Sequence, residues 1–90
     1  MTDAFERRRH VSAYTCFHGV IATFPGWDGF DNLQRLYDAG FWVKVFLGGI
    51  DCGQIANANS ERGWVTIVTS GPRGVQFDAR QGAVEIRISR

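Results

Sequence analysis

The chain has few of the residues that announce chemistry. Two cysteines, Cys16 and Cys52, are too few for a disulfide framework, and the two histidines are His10 and His18. Lysine occurs once, at Lys44, and a net charge of +1 gives no field that would draw a polyanion to the chain as a whole. No apolar run is long enough to span a bilayer. The stretch from Val11 to Phe24 is too short and is interrupted by Thr15, His18 and Gly19. A glycine-rich phosphate loop, paired metalloprotease histidines and a serine elbow are all missing, which removes the usual signatures of nucleotide binding, zinc proteolysis and serine hydrolysis. The charged start, Met1 to His10, has no secretory pattern. The expectation is a cytoplasmic protein with reduced thiols and no membrane attachment.

What is present is aromatic. Seven Phe, three Trp and two Tyr stand in 90 residues, each able to bury a large area in a core or against a partner. With 44% apolar and 21% charged residues the chain reads as one ordinary globular domain, residues 1–90. Residues 1–9 are expected as a flexible arm or a single helical turn capped by Thr2 or Asp3.

The elements follow from local pattern. Residues 11–17 and 20–24 are rich in β-formers, and His18-Gly19 between them suits a two-residue hairpin turn, with one long strand bulged at Gly19 as the alternative. Pro25 to Gly29 stops the second strand. Asp28 is placed as a helix N-cap, with Asp31 in the first turn. Phe30, Leu33, Leu36 and Tyr37 then recur at helical spacing until Gly40, which predicts a helix over about 29–39. The remainder predicts an antiparallel meander of about five strands: 41–47, 50–55, 64–69, 75–78 and 83–89, with a polar loop at 56–63. In the last strand Val84, Ile86 and Ile88 alternate with Glu85, Arg87 and Ser89, so one face meets a core and the other meets water. The fold class is therefore α+β: a β-hairpin, one helix, and an antiparallel sheet that curls or forms a partial barrel because one helix covers little of it.

Three segments carry a resemblance. The run Val43-Lys-Val-Phe-Leu-Gly-Gly-Ile-Asp, then Arg62-Gly-Trp-Val-Thr-Ile-Val, then Gly82-Ala-Val-Glu-Ile-Arg-Ile resembles small β-rich proteins of phages and other mobile elements. Those proteins have an Asp-Gly turn where this chain has Gly48-Gly49, and the returning strand here carries Cys52. The resemblance spans residues 43–88. It implies a mobile-element protein of unassigned activity and transfers no catalytic residue.

Each candidate for chemistry has a plainer alternative. Cys16, His18, Asp51 and Cys52 are zinc-type ligands, but their spacing matches no structural site, and buried thiols with a turn histidine are expected instead. Neither a helix N-terminus nor a fingerprint motif accompanies either cysteine to mark it as a nucleophile, so no catalytic residue, metal or cofactor is assigned. Arg7, Arg8 and Arg9 could contact phosphates, yet Asp3 and Glu6 share the segment and a solvated arm is preferred. Trp27 either plugs an end of the core or lines a pocket beside the helix.

The strongest hint lies in one strand. Trp42, Lys44 and Phe46 alternate with Val43, Val45 and Leu47, so both faces of it are largely apolar. One helix covers one side. The other needs the sheet to fold over or a partner to cover it, and is expected to meet a second copy or line a ligand cleft. The expected function is a small non-enzymatic interaction protein, a homo-oligomer with a dimer favoured, joined through the face of Trp42 and Phe46. The alternative is a small-molecule binder or small enzyme with a pocket between helix and sheet near Trp27, Tyr37 and Trp42. A nucleic-acid binder using Arg7 to Arg9 ranks third.

Overall fold

The computed structural model of the protein describes residues 14–90. The expected arm at residues 1–9, with Arg7, Arg8 and Arg9, lies outside the described residues. The element order is β1 (Thr15–Phe17), β2 (Val20–Ala22), α1 (Phe30–Asp38), β3 (Trp42–Leu47), β4 (Ile50–Asp51), β5 (Ile55–Asn59), β6 (Trp64–Gly71), β7 (Gly74–Gln81) and β8 (Val84–Ser89). The strands form two antiparallel sheets, ordered β1-β8-β3-β4 and β2-β5-β6-β7, and close no barrel. The α+β class and the central helix agree with the sequence reading.

The hairpin expected at His18-Gly19 is absent. β1 pairs with β8 and β2 pairs with β5, so His18-Gly19 is where the chain leaves one sheet for the other. Gly19 has a φ of +141° there. Ser60 holds the crossing: its Oγ accepts from Gly19 N at 3.0 Å and donates to Phe17 O at 2.9 Å. These bonds span more than forty residues of chain, and no local pattern records them.

The meander is also revised. The strand expected at 50–55 divides, because Asp51 Oδ1 accepts from Gly53 N at 2.8 Å and Gly53 turns at a φ of +71°. β4 stays with β3 while β5 joins the second sheet. The expected loop at 56–63 begins as β5, whose Ala56 and Ala58 are fully buried while its asparagines are not. The true turn is short: Asn59 Oδ1 accepts from Glu61 N and Arg62 N, each at 2.9 Å. β8 does not end the meander beside β7 but returns to lie between β1 and β3.

The helix begins and ends for identifiable reasons. Gly29, at φ +98°, occupies the N-cap and no side chain caps it, so Asp28 does not play its expected part. A Cβ on Gly29 would lie 2.8–2.9 Å from the backbone of Ile21, so only glycine lets the helix start this close to β2. Asn32 Nδ2 fastens the first turn to Val20 O at 2.8 Å. At the other end Gly40 N donates to Tyr37 O and Phe41 N to Leu36 O, the paired bonds of a Schellman cap, with Gly40 at φ +88°.

One core joins the layers. Val45, Val84 and Ile86 of the first sheet, Ile21, Ala58 and Val65 of the second, and Leu33 of α1 form a single buried cluster. The alternation read in β8 is seen directly, with Val84 and Ile86 inside. β6 and β7 run beyond this core as a two-stranded ribbon, registered from Trp64–Gln81 to Gly71–Gly74, and the described residues extend 49 × 29 × 23 Å.

Candidate functional site

Strand alternation sends Val43, Val45 and Leu47 to the core and Trp42, Lys44 and Phe46 to the outer face of the first sheet. Registered partners share a face. Trp42 lies beside Ser89, Lys44 beside Arg87, Phe46 beside Glu85 and Asp51, and Arg87 beside Cys16. The only described helix packs against β2 and the inner side of β3 and leaves this face open. Trp42 is 74% exposed, whereas Phe46 is half-buried.

Arg87 organises the face. Its Cζ lies 3.8 Å from the Phe46 ring centroid and 4.7 Å from that of Tyr14. Its Nη2 and Nε donate to Glu85 Oε1 at 2.7 and 3.0 Å. Glu85 Oε2 accepts from Cys16 Sγ at 3.7 Å. The hydrogen bond from Arg87 holds the Glu85 carboxyl below its ordinary pKa, and the same bond holds the guanidinium above its own. Lys44 Nζ lies 3.9 Å from Asp51 Oδ2 at the sheet edge. Sequence patterning placed Glu85 and Arg87 on a wet face. It could not join them to Phe46 and Tyr14, because that depends on β8 lying between β1 and β3.

A cleft of about 460 Å³ opens between α1 and the sheets. Ile21, Leu33, Val45 and Ile55 form apolar parts of its lining, while Thr23, Tyr37 and Gln54 are among its polar members. Of the three aromatics expected near such a pocket, Tyr37 lines it and Trp27 and Trp42 do not. Trp27 instead lines a separate hollow of about 350 Å³ at the start of α1, with Asp28, Asn32 and Arg35. It is 39% exposed and packs on Phe24 and Phe77, with ring centroids 5.1 and 6.0 Å away.

The thiols stand apart. Cys16 is on β1 and Cys52 follows β4, at opposite edges of a four-stranded sheet about 14 Å wide. Burial first, then the Asp51 carboxylate, raises the Cys52 thiol above its ordinary pKa. Among the described residues no group of three or more His, Cys, Asp and Glu side chains gathers as a metal site, and no helix is long and apolar enough to cross a membrane. No protein-family model, curated protein or solved structure matches the chain.

Proposed function

We propose that the protein is a small non-enzymatic interaction module that self-associates through the outer face of its first sheet. The observation that carries this reading is Trp42, 74% exposed on the same sheet face as a guanidinium already stacked on Phe46 and Tyr14. Trp, Tyr and Arg are the residue types that concentrate binding energy at interfaces. Arg87 is held by Glu85, so less side-chain freedom is lost on docking. The face carries both signs of charge, Lys44 and Arg87 against Asp51 and Glu85, as a self-complementary two-fold contact requires. An origin in a mobile element belongs to this reading through the resemblance of residues 43–88. The test is native mass spectrometry of the parent chain and Trp42→Glu. The variant should keep its melting temperature and lose one level of assembly; an unchanged assembly would remove the proposal.

A second reading is favoured by the cleft, whose volume falls within the roughly 300–1,000 Å³ usual for ligand pockets. Its apolar floor and polar groups suit a small amphipathic molecule. A panel of aromatic and aliphatic carboxylates should then raise the melting temperature of the parent but not of Ile55→Trp, which fills the cleft. No shift with any member would dismiss a carboxylate ligand.

A further inference from the structure

The two sheets present four edge strands, and they differ. β1 and β2 are three residues long and β4 is two, while β7 has eight. Proteins commonly protect edges by keeping them short, bulged or covered. β7 has none of these protections among the described residues: it pairs with β6 on one side only, without a register break, and its residues are nearly all exposed. Val75 and Phe77 are 63% and 53% exposed.

Which backbone groups face outward follows from the turn. β6 and β7 are joined by the two-residue loop Pro72-Arg73, so the closing pair Gly71–Gly74 is the hydrogen-bonded kind. Bonded and non-bonded pairs then alternate down the ladder, which makes Val65–Arg80 bonded and Trp64–Gln81 not. The next pair agrees, because Gly82 N donates to Gly63 O at 3.0 Å. The N–H and C=O groups of Val75, Phe77, Ala79 and Gln81 therefore point away from β6 into the open edge.

We propose that β7 pairs with β7 of a second copy, antiparallel about a two-fold axis at Ala79. Only residues with outward groups can bond across the edge, so Ala79 meets the partner's Ala79 and Phe77 meets the partner's Gln81. The intervening non-bonded pair sets Asp78 opposite the partner's Arg80, and Arg80 opposite the partner's Asp78. Within one copy this aspartate and arginine already lie on one side of β7, 2.8 Å apart. Charge selects the register. An axis at Asp78 or at Arg80 would set like charges directly opposite, which is unfavourable, and an axis at Phe77 would set Asp78 against Gln76. The Ala79 axis gives two opposite-charge pairs and leaves no backbone group from Phe77 to Gln81 unbonded at the edge. This surface is separate from the face around Trp42, and either can fail without the other.

The test uses the Trp42→Glu chain, so that the face around Trp42 cannot contribute. Native mass spectrometry should find it dimeric. Adding Asp78→Arg or Arg80→Asp turns both cross-pairs from attractive to repulsive and should weaken the dimer about tenfold or more. Both side chains are about half exposed, and the melting temperature checks that folding is retained. Mixing the two reversed chains sets Arg against Asp again and should give a heterodimer. As a second measurement, Ala79→Cys with Cys16 and Cys52 replaced by Ser should form a disulfide-linked dimer in air, because bonded partners sit about 5.5 Å apart between Cα atoms. Arg73→Cys, at the turn, should not. A monomeric Trp42→Glu chain, homodimers indifferent to either reversal, no heterodimer on mixing, or equal cross-linking at 73 and 79 would each overturn the proposal.

Discussion

Glu85 and Arg87 show how a single pair of side chains gives an otherwise ordinary sheet face a fixed shape. The guanidinium is bonded edge-on to the carboxylate and lies over Phe46, so the charge that would otherwise wander is kept at the centre of the face. The carboxyl of Glu85 is held below its ordinary pKa, chiefly by that bond. A carboxyl whose folded pKa is depressed contributes stability above its unfolded pKa, and the contribution is lost as pH falls through the folded value. The Glu85 carboxyl should thus titrate below the ordinary glutamate midpoint by carbon-detected NMR. The melting temperatures of the parent and Glu85→Gln should converge as the pH is lowered. A Glu85 midpoint at the ordinary value would mean that Arg87 is not held as described.

At the scale of elements, the docking of α1 on β2 depends on a missing side chain. Gly29 combines a left-handed backbone with contact against Ile21, two separate reasons to exclude alanine. Gly29→Ala should destabilise the fold by about 2 kcal/mol or more, since a strained positive φ alone costs about 1–2 kcal/mol. Chemical denaturation measures this, and a loss below about 0.5 kcal/mol would contradict the close approach. The same elements show what the sequence could reveal. The helix was legible because Leu33, Leu36, Tyr37 and Gly40 carry its period and its stop within a few residues. The inner face of β8 was legible for the same reason. β5 was not, because Ala56 and Ala58 bury almost no apolar mass each and alternate with asparagines, so a core strand looks like a polar loop. The crossing at His18-Gly19 was misread as a hairpin because its Ser60 partner comes more than forty residues later. Trp42, Lys44 and Phe46 could be assigned to one face by period alone. Tyr14, Glu85 and Arg87 joined them only through strand order, which local pattern does not encode.

For the molecule as a whole, two surfaces follow from one topology. The helix and the second sheet cover the inner side of the first sheet, which leaves the Trp42 face open. The β6–β7 ribbon overhangs the core and leaves a long edge. Two different two-fold contacts on one chain build either a closed dihedral assembly, a tetramer when the axes are mutually perpendicular, or an open chain of copies. Loss of one contact reduces either assembly to a dimer, and loss of both gives a monomer. The deciding observation is the native mass of the parent chain beside Trp42→Glu, since assembly through the Trp42 face is what that substitution removes. The parent should assemble beyond a dimer, and Trp42→Glu should be a dimer with an unchanged melting temperature. A parent chain that is monomeric, or whose mass is the same with and without Trp42, would contradict it.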